Sequence, residues 1–153
     1  MPGSRTCADP VAIVHTSFFS GVGLWATAPT APRGTPGRWA NASGLRRVQL
    51  DASIGQSFGV AVADIDGDGN ALELLATNHV DNETLAGVYA YKLMGANADP
   101  MLPSSWERAA LTTGFLVRIP GPGQAAPGQA IAFTPCQGGA AHGSGVAADP
   151  SLS

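Results

Sequence analysis

An all-β fold is what this sequence predicts, and three observations carry the prediction. Short runs rich in β-forming residues recur along the chain, with turn residues between most of them. No run longer than a turn or two shows convincing helical periodicity. The stretch from Pro10 to Thr27 is echoed by Glu73 to Lys92: an apolar run ending in a Thr, Asn or His group, a polar insert, then Gly-Val and an alternating strand. Self-similarity at a period of tens of residues points to a propeller or a solenoid.

The runs, in order, are Val11 to Thr16, Val22 to Thr27, Leu45 to Leu50, Phe58 to Asp64, Leu72 to Asn78, Gly87 to Leu93, Arg108 to Thr112 and Ala130 to Thr134. The first two make up the earlier copy of the repeat. That copy lacks the strand and acidic loop that precede the later one, so the chain is expected to begin inside a repeat unit. In the fourth run, Phe58, Val60 and Val62 point one way and Gly59, Ala61 and Ala63 the other. A strand with one bulky and one small apolar face can be buried on both sides, as between two sheets. Ser104 to Ala110 carries a weak helical pattern, but its context favours a strand.

Composition bounds the rest. The chain has 153 residues, enough for one domain with a modest core. Hydrophobic residues make up 44%, too many for a disordered acidic tail. The 20 glycines and 12 prolines gather around 28–44 and 120–150, which read as loops or connectors. Net charge is −3, without the basic footprint of a nucleic-acid binder. No apolar run reaches the roughly 18 residues of a membrane span. The N-terminus has no continuous apolar core of the secretory kind. Asn41-Ala42-Ser43 and Asn82-Glu83-Thr84 are glycosylation sequons of the sort exported proteins carry, so the cellular location stays open. Cys7 and Cys136 could pair, though nothing in their spacing demands it.

The chemistry concentrates in one loop, Asp64-Ile65-Asp66-Gly67-Asp68-Gly69, between two β-like runs. Between Arg47 and Lys92 there is no Lys or Arg, while Asp51, Asp64, Asp66, Asp68, Glu73, Asp81 and Glu83 all fall there. Such a segment concentrates cations. Three carboxylates at alternate positions repel one another unless a cation lies between them, and a hard ion with oxygen ligands, Ca2+ above all, is the natural partner. A plain Asp/Gly turn is the simpler reading, but a turn needs only one or two such residues. An EF-hand is excluded on two counts: the twelfth position is Leu75 where a bidentate Glu is required, and the flanks are strand-like.

The stretch SFGVAVADIDGDGNALELLATNH, followed by GVYAYKL, resembles the FG-GAP/VCBS repeat, the integrin-α-like blade of β-propellers. The resemblance spans roughly residues 11 to 135 and is specific at 57 to 92. It implies a partial β-propeller of about two four-stranded antiparallel blades, with Gly/Pro/Ala-rich loops. On this reading residues 1–10 are a disordered N-terminus, 11–50 a partial blade with a Pro/Gly-rich loop, and 51–113 the blade with the calcium loop. Residues 114–135 start the next blade and 136–153 are a disordered tail. Position by position, the family motif makes Asp64, Asp66 and Asp68 carboxylate ligands and Asn70 a backbone-carbonyl ligand. Its ninth position should be acidic but is Leu72, with Glu73 one place later. Either a one-residue bulge brings Glu73 in or the site lacks one ligand. A weak affinity of about 10⁻⁴ to 10⁻³ M is the expectation for such a site.

Other chemistry has less support. His15, His79 and His142 form no local HxH or HxxxH pair, and no CxxC exists for zinc. Gly143-Ser144-Gly145 is no nucleophile elbow. Trp25, Trp39, Trp106, Tyr89 and Tyr91 could stack on sugars, although aromatics in alternating strands more often pack between sheets. The implied role is a non-catalytic module binding a protein or glycan ligand. The alternative is a piece of a propeller-based carbohydrate-active lyase or dehydratase, with His79 as its one supporting feature. About two blades leave apolar faces and strand edges uncovered, so further blades or self-association are expected.

Overall fold

Alternating apolar residues pull the chain into two antiparallel sheets that share one core. The computed structural model describes residues 11–19, 21–67, 73–95, 97–116 and 125–131. The first sheet is a meander of β1 (Ile13–Ser17), β2 (Gly23–Pro29) and β3 (Leu45–Asp51). The second is a meander of β4 (Ser57–Ala63), β5 (Glu73–Asn78), β6 (Gly87–Leu93) and β7 (Trp106–Thr113). The remaining regular structure among the described residues is two single 3-10 turns, Ala42–Gly44 and Pro103–Ser105. The expected disordered ends, and most of the expected strand from Ala130 to Thr134, lie outside the described residues.

The core lies where the two sheets face each other. Leu24, Ala26 and Ala28 of β2 and Leu50 of β3 meet Leu74 and Ala76 of β5 and Tyr89 and Tyr91 of β6. Ile54 and Met101 close the ends. Small alanines at alternate positions let the backbones approach, and the tyrosine rings fill the space between. Both tyrosines are therefore core residues. Asn78 is fully buried and fully used: its amide nitrogen donates to the carbonyls of Ile54 and Leu85, and its side-chain oxygen accepts from the Gly87 N–H. A buried amide satisfied on both ends fixes the β5–β6 connection.

The repeat seen in the sequence is a repeat of structure, and it reaches further than the residue pattern. β1, β2 and β3 correspond to β5, β6 and β7. A 3-10 turn immediately precedes both β3 and β7. The pairing of β2 with β3 slips between Leu24 and Trp25, and that of β6 with β7 slips between Val88 and Tyr89, the matching place. Gly23 and Gly87 open the corresponding strands. A Cβ on either would press on the next strand's backbone, 2.1 Å from the Asp51 carbonyl oxygen and 2.6 Å from that of Thr112.

One expectation is corrected. β4 is not buried on both faces: Phe58 is 52% exposed and Val62 63% exposed. Val60 pairs with Ala76 and Val62 with Leu74, so these two share the side of the core, while Phe58 falls at the register shift between Ser57 and Gly59 and its ring lies against His79. β4 is an edge strand of its sheet and meets β1, the edge strand of the other, where the Thr16 hydroxyl donates to the Phe58 carbonyl.

A polar clamp also joins the sheets. Asp51, at the end of β3, accepts hydrogen bonds from the Tyr91 hydroxyl and from Arg108 Nη1, both at 2.8 Å. Its other oxygen accepts from the Ser53 backbone N–H and hydroxyl, each at 2.7 Å. Arg108 also donates to the Ser53 hydroxyl and lies over the Tyr89 ring. Burial opposes ionisation of Asp51, but the bonds from Ser53, Tyr91 and Arg108 outweigh it and hold the carboxyl below its usual 3.8. Burial, reinforced by the bond to Asp51, pushes the Tyr91 hydroxyl well up, so it stays a donor.

Candidate metal centre

β4 and β5 are antiparallel neighbours, and the acidic loop is the connection between them. The strand ends aim the ligands. Ala63 pairs with Glu73 at the mouth of the loop, and Asp64 follows directly. Gly67 takes a φ of +77°, the left-handed turn that a glycine accepts without strain, and its N–H donates to Asp64 Oδ1 at 2.8 Å. The Ile65 N–H donates to Glu73 Oε2 at 3.1 Å. These two bonds fold the first half of the loop over the Glu73 carboxylate.

Asp64, Asp66 and Glu73 converge, each offering one oxygen within 4.8 Å of the others. Calcium binds oxygen at about 2.3–2.6 Å, so two ligands of one ion can stand up to roughly 5 Å apart. Glu73 enters without any bulge beside it. It occupies a regular strand position opposite Ala63, and the irregularity of this strand pair lies at the other end, between Ser57 and Gly59. Asp68 and Asn70 lie outside the described residues.

The cluster gathers like charges around one buried group. Glu73 is 3% exposed, and a buried carboxylate is costly unless its charge is answered. Lys92, opposite Glu73 on β6, answers part of it. Its Nζ contacts Asp66 Oδ2 and lies 3.8 Å from Glu73 Oε1. Three carboxylates thus gather around one ammonium. Two carboxylates at this spacing repel by about 3 kcal/mol at an effective dielectric near 20, less where water reaches them. An all-oxygen donor set of this kind suits a hard cation. Sequence reasoning missed Lys92, because its place beside the acids follows from cross-strand register.

Lys92 therefore competes with any cation for the same oxygens. Lys92→Met is expected to tighten Ca2+ binding several-fold, as titration calorimetry would read. The same substitution should lower stability in chelator by about 0.5–1 kcal/mol, the usual worth of a largely exposed pair. Unchanged or weaker calcium binding in this variant would remove the lysine from the site.

The histidines are elsewhere. His79 follows β5 at the end opposite the acidic loop, six residues from Glu73 in sequence, or about 20 Å along an extended strand. Its ring lies against Phe18 and Phe58, its Nδ1 is buried without a hydrogen-bond partner, and its backbone N–H donates to the Gln56 carbonyl. His15 Nε2 is 3.1 Å from the Thr27 hydroxyl across the β1–β2 pair. His142 lies outside the described residues. Trp25 donates its indole N–H to the Gly21 carbonyl and is stacked by Arg47, 3.9 Å from its ring centre. Trp106 packs against the core and donates to the Pro100 carbonyl. Among the described residues no helix is long and apolar enough to cross a membrane.

The chain matches no protein-family model, no curated protein and no solved structure.

Proposed function

We propose that this chain is a non-catalytic repeat module of the FG-GAP/VCBS type, a partial β-propeller stabilised by Ca2+ and serving protein or carbohydrate binding within a larger assembly. One observation supports the calcium reading: a buried Glu73 carboxylate converges with Asp64 and Asp66, each offering an oxygen to a common point. The loop joins two antiparallel strands of a four-stranded meander, the setting the sequence motif implies. Calcium acts structurally here. Asp64, Asp66 and Glu73 would hold it, with Asp68 and Asn70 added by the motif, and it would fix the β4–β5 connection.

The enzymatic alternative, a lyase or dehydratase, needs His79 and the metal ligands in one site. Their placement at opposite ends of β5 weighs against it, and the aromatic neighbours of His79 suit packing.

Titration calorimetry with Ca2+ tests the proposal. Wild-type chain should bind one ion with a Kd of about 10⁻⁴ to 10⁻³ M, and Asp66→Ala should weaken binding at least tenfold while leaving far-UV circular dichroism unchanged. Absence of binding by the wild type at millimolar calcium would overturn it. Turnover of a polysaccharide that disappears in His79→Ala would instead establish the enzyme.

A further inference from the structure

We infer that Lys92 is a two-position residue and that Glu107 on β7 holds its second position. A cation entering the acidic loop takes Asp66 and Glu73 from the lysine, and the ammonium crosses to Glu107. This rests on the calcium reading and deepens it: Glu107 becomes a positioning residue that sets calcium affinity without touching the ion.

Register puts the charges in one row. Across the four-stranded sheet Ala63 pairs with Glu73, Glu73 with Lys92, and Lys92 with Glu107. Residues directly opposite in antiparallel strands share a face, with Cβ atoms about 4.5–5.5 Å apart. Lys92 therefore stands between two carboxylates, Glu73 on one side and Glu107 on the other. In this structure its Nζ turns toward the loop, contacting Asp66 Oδ2 and lying 3.8 Å from Glu73 Oε1. Glu107 is exposed and has no ion-pair partner among the described residues.

The two sides of the lysine compete unequally. The loop side offers two carboxylates, and Glu73 is buried, so its charge needs a partner more than that of Glu107, which water already solvates. An ion on the same oxygens reverses the balance, because it answers Glu73 and repels the ammonium. Lysine's flexible four-carbon stem lets the head swing without moving the strand. The neighbours of the row offer no other place for it. Tyr91 and Arg108 alternate to the opposite face, where both are bound to Asp51. Glu107 lies one strand away on the lysine's own face. Occupancy of the β4–β5 loop is thus felt on β7, the last strand of the sheet, whose carboxylate gains a counter-charge.

Glu107→Gln tests this, since the amide keeps the shape and removes the charge. In titration calorimetry the variant should bind Ca2+ about threefold more weakly than the wild type, the worth of one exposed ion pair. The same change made in Lys92→Met should cost well under twofold. That second comparison keeps the loss of a distant negative charge and removes the lysine, so it isolates the transfer. Melting supplies a separate reading. Glu107→Gln should match the wild type in chelator and melt about 2 °C below it in saturating calcium. Equal affinity of the variant and the wild type, or the same threefold loss with and without Lys92, overturns the inference and leaves the calcium reading standing. A lower melting temperature in both buffers alike also overturns it, making Glu107 an ordinary structural residue. A wild type that binds no calcium overturns both.

Discussion

Asp51→Ala is expected to cost about 3 kcal/mol of folding stability, seen as a lower denaturation midpoint with the slope nearly unchanged. The reason is the set of groups left behind. Tyr91 would keep a buried hydroxyl without its acceptor, a loss of about 1–3 kcal/mol. Arg108 would lose a 2.8 Å ion pair in which Asp51 is the more buried partner, with side-chain exposure of 14% against 39%. The partly exposed arginine recovers some of its loss from water, which keeps the total below that of a fully buried pair. Tyr91→Phe should cost less, because Asp51 keeps Ser53 and Arg108 as donors and no buried group is stranded. The clamp also has a signature in pH. Asp51 ionises more easily folded than unfolded, so its contribution is complete above the unfolded carboxyl's 3.8. It is lost as pH falls through the lower folded value. Acid unfolding of the wild type should therefore steepen in that range, and Asp51→Asn should flatten it. Equal acid sensitivity in the two proteins would show that the carboxylate does not join the sheets.

Asp51 illustrates what the residue pattern made legible and what it did not. The strands were legible because alternation is local: β3, β5 and β6 fall within a residue or so of the runs read from the sequence. The acidic loop was legible because its three aspartates are four residues apart at most. The clamp was not, since Asp51, Tyr91 and Arg108 meet only after two sheets have packed, and each alone looks like an ordinary polar or aromatic strand residue. Glu73 shows the boundary between the two cases. Counted along the loop it stands one place from the expected ligand position, and only its pairing with Ala63 shows that the strand already points it inward. The exposure of Phe58 and Val62 was illegible for a related reason. Hydrophobic alternation says which face is apolar, but whether a strand lies at the edge is a property of the whole sheet.

Saturating calcium should raise the melting temperature of the wild-type chain by roughly 5–10 °C over its value in chelator. At a concentration a hundredfold above Kd, an ion that binds only the folded state adds about 2.7 kcal/mol. For a domain of this size each kcal/mol moves the midpoint by about 2–4 °C. Glu73→Gln should invert the order. The amide still offers an oxygen to the Ile65 N–H, so the loop keeps its fold, while a buried negative charge is removed from beside Asp64 and Asp66. In chelator the repulsion relieved outweighs the attraction to Lys92, whose ammonium keeps its contact with Asp66. The variant should therefore melt above the wild type without calcium and below it with calcium. Scanning calorimetry in the two buffers reads all four values. This crossing separates an ion site from an acidic turn, because a turn that binds nothing is stabilised by the substitution in both buffers alike. Magnesium gives the final contrast. It demands near-ideal octahedral geometry and gives up its waters reluctantly, so a glycine-rich loop of carboxylates should gain far less from it than from calcium.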